Sequence, residues 1–178
     1  MRWKLAQVQF RPRKADVGAN LQAIGEALCV AHDRGARLAL FPEAALSGYI
    51  LMGGVKEAAI EADEAVSRLQ AHLVSARPGA TIEVCLGFYE RDGDAIYNSA
   101  LHARLGCSDG SDQLGLLHVH RKVFLPSSGV CDEDRYVTRG HSVNCYDTSM
   151  GRMAILICED AWHSICGIIA ALHGAEYI

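Results

Sequence analysis

Apolar residues recur along this chain with two different spacings, which together predict an α/β fold. Residues 17–31 place apolar side chains at steps of four and three after Asp16, a plausible helix N-cap. Residues 55–73 repeat that rhythm, and residues 161–173 form a third such stretch that stops at Gly174. The pattern therefore predicts three helices, the last of them near the end of the chain.

Short apolar runs before, between and after these helices predict strands. They lie at residues 3–10, 38–41, 82–89, 95–103, 114–120, 142–146 and 151–158, and residues 175–178 begin another. Turns join 82–89 to 95–103 and 142–146 to 151–158, as in hairpins. Residues 38–41 contain no polar side chain, which implies that both faces of that strand are covered.

Two segments without clear periodicity are predicted to be loops beside the strand ends. Residues 44–54 contain three glycines, and residues 121–140 mix acidic and basic side chains. Ordered loops as long as the second one are usually functional in compact domains. We therefore expect part of a functional site within residues 121–140.

Three polar residues each follow an apolar run: Glu43, Lys122 and Cys158. Each alone has a plainer explanation, respectively a solvated loop carboxylate, half of a surface ion pair, and a buried inert cysteine. Strand ends share an edge in parallel or mixed sheets, however, so the three can converge. Together they supply the base, the cation and the nucleophile that acyl transfer to a thiol needs.

Composition and charge limit the possible partners. The chain has 178 residues, 50% of them hydrophobic, which suits one domain with a sizeable core. Its net charge of −4 and its lack of a basic run give no footprint for nucleic acid or an anionic membrane. We expect neither of those partners, and a small molecule or a protein instead.

The first residues of the chain and its cysteines indicate the cellular compartment. Polar Gln7, Gln9 and Arg11 interrupt the opening segment, unlike a signal peptide, and no apolar run is long enough to span a membrane. Seven cysteines without a Cys-x-x-Cys pair indicate reduced thiols rather than a disulfide framework. We expect a cytoplasmic protein.

A metal site is the main alternative chemistry. His118 and His120 lie on one face of a predicted strand, but no third ligand is suitably spaced. We therefore predict strand-surface histidines, no metal and no cofactor.

Three blocks of the sequence carry a family resemblance. Pro42-Glu43, residues 120–126 and residues 156–160 resemble the blocks around the Glu-Lys-Cys triad of the nitrilase, or carbon-nitrogen hydrolase, superfamily. Residues 46–49 and 97–100 also look similar, and the resemblance extends over nearly the whole chain. Residues 121–136 and 157–162 look most like the glutaminase portion of glutamine-dependent NAD synthetase.

The resemblance implies an α-β-β-α sandwich, with two mixed sheets face to face and helices outside. It implies that Glu43 is the general base, that Cys158 forms a thioester, and that Lys122 stabilises the oxyanion with the N–H of Glu159. Glu133 matches a second glutamate that orients the substrate or the lysine. Tyr49, Glu159 and Trp162 join Glu133 as the expected substrate-binding residues.

The implied function is hydrolysis of a non-peptide carbon–nitrogen bond in a small amide, with ammonia release from glutamine as one form. A stand-alone ω-amidase or N-carbamoyl amide hydrolase is the first alternative. A non-catalytic, truncated homologue that acts as a binding or scaffold subunit is the second. Family members continue beyond the cysteine helix, so residues 1–178 are expected to be a single domain that is incomplete at its C-terminus or completed by another chain.

Two further expectations concern assembly and the thiol. Superfamily members resemble one another in pairing around the cysteine block, so we expect a homodimer or higher homo-oligomer with residues 161–173 at the contact. For the pKa of Cys158, neighbouring Glu159 and Asp160 would raise it and Lys122 would lower it. The sequence leaves the net direction open.

Overall fold

A computed structural model describes residues 3–49, 54–107, 114–127 and 132–178. It has the predicted α/β architecture, and the described elements divide into two sheets and the helices that cover them. In chain order they are β1 (Leu5–Gln7), α1 (Val17–Asp33), β2 (Leu38–Leu40), α2 (Val55–Ala58), α3 (Ala62–Ala76), β3 (Thr81–Asp92), β4 (Ala95–Gly106), β5 (Gly115–Arg121), a 3₁₀ turn (Glu133–Arg135), β6 (Cys145–Thr148), β7 (Gly151–Ala154), α4 (Glu159–Trp162) and α5 (Ser164–Leu172).

The first sheet is mixed and has the order β1-β2-β3-β4-β5. Strands β1, β2 and β3 are parallel, whereas β3, β4 and β5 are antiparallel. The predicted hairpin of residues 82–89 and 95–103 is confirmed as β3 and β4, which turn at Gly93 with a φ of 58°. The second sheet pairs β6 with β7, and a parallel bridge joins Met153 to Tyr177.

Four layers bury the apolar faces that the sequence pattern predicts. Helices α1 and α3 pack on the first sheet, where Ile24, Leu28 and Leu69 have no exposed surface. Full burial of one such side chain stabilises the fold by about 1.5–3 kcal/mol. Met150 and Met153 bring the second sheet against the first, and α5 covers the second sheet from outside. The chain thus has the expected α-β-β-α arrangement.

Helix α1 begins as predicted, because the carboxylate of Asp16 accepts the backbone N–H of Ala19 at 3.0 Å. The single helix predicted over residues 55–73 is wrong, since the chain forms α2 and α3 separately. Between them Ile60 is extended: its N–H donates to Tyr89 and its carbonyl accepts from Arg91, at 3.1 and 3.0 Å. At Ile60, hydrogen bonds to β3 therefore take the place of helical hydrogen bonds.

The segment around Cys158 also differs from its prediction. Strand β7 ends at Ala154, whose partner is the first residue of β6, so the ladder stops four residues before Cys158. Helix α4 starts directly after Cys158, and extended His163 separates it from α5. The predicted strand over 151–158 and the single helix over 161–173 are therefore both corrected.

The remaining boundary differences are small. Strand β1 is shorter than predicted because only residues 5–7 pair with β2. Residues 50–53 of the predicted loop at 44–54 lie outside the described residues, as do residues 128–131 of the predicted loop at 121–140 and residues 108–113. Across the described ranges, no helix has both the length and the apolar character needed to cross a membrane.

Gly87 of β3 lies directly beneath the segment that carries Glu43. A Cβ atom at Gly87 would lie 2.6 Å from the Pro42 carbonyl oxygen, the Glu43 Cα and the Ala44 nitrogen. The backbone N–H of Leu46 also donates to the Gly87 carbonyl at 3.3 Å. The absence of a side chain at this position allows the Glu43 segment to approach the sheet.

We expect Gly87→Ala to lower the free energy of unfolding by about 1–3 kcal/mol, the usual cost of overpacking. The added methyl group must displace backbone atoms, which cannot rotate away. Denaturant titration measures the change. Gly18→Ala in α1 is the control, because the side chains of Arg68 and Asp16 would lie 3.9 Å from the added methyl group and alanine favours a helix by about 0.5–1 kcal/mol. Equal effects of the two substitutions would contradict the assignment of Gly87.

Candidate active site

Lys122 lies just beyond the end of β5 and has no exposed surface. Its Nζ is 2.8 Å from Glu43 Oε1 and 2.9 Å from Glu133 Oε2. Its backbone is held on both sides: its N–H donates to the Asn98 carbonyl and its carbonyl accepts from Gly140, each at 2.8 Å. The ammonium group is thereby fixed between two carboxylates from distant parts of the chain.

Asn98 of β4 joins the same two carboxylates from another side. Its Nδ2 donates to Glu43 Oε1 at 2.7 Å and to Glu133 Oε1 at 2.9 Å, and the residue is fully buried. Sequence reasoning gave Asn98 no role beyond its place in residues 97–100. A polar amide within a strand that is otherwise buried was the only available signal.

The cluster keeps its lysine charged. Burial lowers the pKa of Lys122, but its hydrogen bonds and charge interactions with Glu43 and Glu133 prevail, so the pKa is raised. Burial raises the pKa of nearby Tyr89, and the charges of Glu133 and Glu43 raise it further. At neutral pH the site therefore contains an ammonium group and a protonated phenol.

Cys158 occupies the turn between the end of the second sheet and α4. Its φ of 46° and ψ of −100° lie outside the usual regions for a residue with a side chain, a strain of about 1–3 kcal/mol. The residue is exposed, and it borders the same small cavity as Glu43. Lys122 and Asn98 both use Oε1 of Glu43, which leaves Oε2 available for the thiol proton.

The pKa of Cys158 is raised, which answers the question that the sequence left open. Partial desolvation of the sulfur contributes most, followed by the negative charge of Glu43; Lys122 opposes them without prevailing. The expected source was partly wrong, because the carboxylates that raise this pKa are Glu43 and Glu133 rather than the adjacent Glu159 and Asp160. The thiol is protonated at neutral pH and needs a base to become a nucleophile.

The two histidines considered as metal ligands have separate environments. The His118 ring stacks on Tyr146 with centroids 4.2 Å apart, and burial, then the charges of His120 and His102, lower its pKa to about 4. The His120 Nε2 is 2.9 Å from Asp160 Oδ2. In the part of the chain that the structure describes, no group of three or more His, Cys, Asp or Glu side chains is placed to hold a metal ion.

A cavity of about 130 Å³ borders Glu43 and Cys158. Its other walls are mainly apolar and come from the first sheet, from Phe41 after β2, and from residues 155–157 after β7. A larger cavity of about 570 Å³ is lined by residues such as Glu90 and Arg121 and contains none of Glu43, Lys122 and Cys158. Of the three, Glu43 and Cys158 therefore border the smaller cavity, despite its size.

The structure brings most, but not all, of the predicted site residues together. The Tyr49 ring centroid is 5.9 Å from the Lys122 Nζ. The Glu159 side chain is 36% exposed and lies 3.6 Å from His163. Trp162 is 82% exposed and does not border the smaller cavity, so the geometry gives no support to its expected substrate contact. The roles of the other residues remain predictions.

This fold and this arrangement of residues define a class of protein. The chain belongs to the carbon-nitrogen hydrolase family, whose model matches residues 4–178.

Individual relatives extend the comparison. The chain is 32% identical over 166 residues to a glutamine-dependent NAD(+) synthetase of Thermotoga maritima, covering 92% of this chain and 27% of that protein. It is 27% identical to a probable nitrilase of Schizosaccharomyces pombe, covering all of this chain and 62% of the relative. The chain thus spans about a quarter of the length of the synthetases it matches.

Solved structures give the same fold. A glutamine-dependent NAD+ synthetase from Acinetobacter baumannii superimposes with a TM-score of 0.74 at 28% identity, over 97% of this chain and 31% of that one. An amidase from Neterenkonia sp. AN1 superimposes with a TM-score of 0.75 at 22% identity, over 98% and 64% of the two chains.

We expect Glu43→Gln to have two separate effects. Amide hydrolysis should fall by about 10²- to 10⁴-fold, because glutamine cannot take the thiol proton. The pKa of Cys158 should fall as well, because a negative charge beside the thiolate is removed. The pH dependence of alkylation by iodoacetamide, followed at Cys158 by peptide mass spectrometry, measures that pKa.

Glu57→Gln on the exposed surface of α2 is the matched control and should change neither quantity. An unchanged Cys158 pKa in Glu43→Gln would contradict the assignment of Glu43 as a carboxylate that raises it.

Proposed function

We propose that this protein hydrolyses the carbon–nitrogen bond of a small amide, with Cys158 as nucleophile, Glu43 as general base and Lys122 as the stabilising cation. One observation carries the proposal: Glu43 and Cys158 border one small cavity, and the same Glu43 carboxylate lies 2.8 Å from the Lys122 ammonium. If the pair of Glu43 and Lys122 had only a structural role, nothing would require a cysteine with a strained backbone beside it.

The reaction begins when Glu43 accepts the thiol proton and the sulfur attacks the amide carbon. As the tetrahedral intermediate collapses, the carbon–nitrogen bond breaks and Glu43 returns the proton to the leaving nitrogen. The released amine or ammonia leaves a thioester on Cys158. A water molecule that gives its proton to Glu43 then attacks the thioester, which yields a carboxylic acid and restores the thiol.

Negative charge on the substrate oxygen is stabilised by Lys122 and by the backbone N–H of Glu159. Within the described residues we find no backbone acceptor for that N–H. A single preorganised donor of this kind typically contributes about 2.7–4 kcal/mol to transition-state stability. Glu133 and Asn98 keep the lysine and Glu43 in place, because each contacts one of them directly.

Glutamine is the substrate that we propose first, with glutamate and ammonia as products. The similarity to glutamine-dependent NAD(+) synthetases over 90% or more of this chain supports it. A carbamoyl compound is the second candidate, because the chain is also 33% identical over 92 residues to a citrullinase of Francisella tularensis. Both substrates present a carbonyl carbon bonded to NH₂, so the same steps apply.

We expect Cys158→Ala to reduce glutamine hydrolysis below about a thousandth of the wild-type rate while leaving the fold intact. The substitution removes the nucleophile and little packing, since the residue is exposed. Ammonia release measures activity and circular dichroism monitors the fold. Cys107→Ala, at another exposed cysteine, is the control and should retain full activity.

Each outcome of the substrate tests separates the candidates. Turnover of citrulline but not glutamine would replace the first substrate by the second. Loss of activity with a chelator, restored by zinc, would contradict a thiol mechanism. A wild-type protein that hydrolyses neither compound, and whose Cys158 reacts no faster with iodoacetamide than Cys107 does, would favour the scaffold alternative.

The protein is further proposed to act as a homodimer in a reducing compartment such as the cytoplasm. All six cysteines among the described residues are free thiols, which supports the compartment. Residues on and just before α5 form an apolar surface in which Trp162, Ile168 and Leu172 are 82%, 51% and 80% exposed. Burying this surface against a second copy would remove it from water.

We expect Ile168→Glu to convert a dimer to a monomer, because it places a charge within the apolar contact. Light scattering at micromolar concentration measures the mass. Val30→Glu on α1 is the matched control, since Val30 is 50% exposed and lies on a different helix. A monomeric wild-type protein would rule out the contact.

A further inference from the structure

Asp160 is a fully buried carboxylate that accepts four hydrogen bonds. Its Oδ1 accepts the backbone N–H groups of Val123 and Phe124 at 3.0 and 2.9 Å. Its Oδ2 accepts from the His120 Nε2 at 2.9 Å and from the backbone N–H of Ile157 at 3.2 Å. None of these contacts is needed by the chemical steps above.

The four donors bracket two of the proposed catalytic residues. His120 precedes Lys122 in the chain, and Val123 and Phe124 follow it directly. Ile157 precedes Cys158, and Asp160 itself lies two residues after it. A single carboxylate therefore ties the end of β5 to the turn that holds the nucleophile.

His120 completes this connection. It is 2% exposed, and its Nε2 must carry a proton in this contact because a carboxylate can only accept a hydrogen bond. Burial raises the pKa of Asp160, but the bonds from His120, Phe124 and Ile157 prevail and lower it. The carboxylate consequently remains ionised and keeps all four donors.

We propose that Asp160, oriented by His120, is a positioning residue that fixes the Cys158 turn relative to Lys122 and Glu43. The inference rests on the proposed function for its effect on turnover. Its physical basis is independent of that function: the strained backbone of Cys158 persists only when its surroundings hold it there. The Asp160 bonds to both segments supply that restraint.

His120→Leu and His120→Gln test the proposal as a pair. Leucine removes the donor to Asp160, whereas the glutamine amide can still donate from a similar position. We expect His120→Leu to lower kcat by about 10- to 100-fold with little change in KM, since a misplacement near 1 Å costs about that much. His120→Gln should retain most of the wild-type kcat.

Alkylation of Cys158 supplies a readout that does not depend on turnover. When the thiol shifts away from Glu43, its raised pKa should move down toward that of an ordinary cysteine. We expect that shift in the pH profile of iodoacetamide alkylation for His120→Leu and for Asp160→Asn, and not for His120→Gln. If the wild-type protein hydrolyses no amide, the proposed function fails, but this comparison still decides the positioning role.

Gln70→Leu separates positioning from general destabilisation. The Gln70 amide exchanges two hydrogen bonds of 2.7 Å with the backbone of Gly106, at the far end of β4 from Asn98. Its loss should lower the melting temperature without changing kcat or the Cys158 alkylation profile. If His120→Leu behaves like Gln70→Leu in both readouts, or if His120→Gln fails to preserve them, the proposal is wrong.

Discussion

A fully buried ammonium group at Lys122 is the constraint on which the site depends. An isolated buried charge is costly, so the fold must bring carboxylates to it from elsewhere in the chain. It brings two, Glu43 and Glu133, and Asn98 bridges them. Because two negative charges face one positive charge, the cluster keeps an excess of negative charge, and the Cys158 thiol lies next to it.

The pieces of this cluster come from separate segments whose alignment depends on sheet register. Glu43 follows β2, Asn98 lies in β4, and Lys122 follows β5. A slip of one residue in the pairing of β4 with β5 would turn Lys122 to the opposite face. The long pairing of β3 with β4 fixes Asn98 relative to Gly87 and the Glu43 segment, and the bond from the Lys122 N–H to the Asn98 carbonyl fixes the end of β5 on β4. The packing of the first sheet therefore also determines the geometry of the site.

Sequence patterns predicted what depends on local periodicity. The cap at Asp16 and the stripe of α1 are local signals, as is the hairpin of β3 and β4. The extended contact at Ile60 was not predictable, because an apolar residue suits a helix stripe and a strand contact equally. The end of β7 was missed for a similar reason: Ile155, Leu156 and Ile157 continue the apolar run after their ladder partner has ended.

For the candidate site too, the sequence predicted local features and missed those that depend on residues far away in the chain. Strand-end positions pointed to Glu43, Lys122 and Cys158, whereas the direction of the thiol pKa depends on Glu43, which is far away in sequence. Neighbouring Asp160 looked like a source of repulsion, but its carboxylate already accepts four hydrogen bonds, including one from His120. Sequence proximity was a poor guide to which charges the sulfur experiences.

A protonated thiol has consequences for how the proposed reaction is controlled. Alkylation and oxidation both require thiolate, so a raised pKa protects an exposed cysteine from unselective attack. Activation then depends on transfer of the proton to Glu43 in the presence of a carbonyl group that Lys122 can stabilise. Reactivity would arise from the joint placement of base, cation and nucleophile rather than from an intrinsically acidic thiol, and the strained turn at Cys158 is consistent with a fold that maintains this placement.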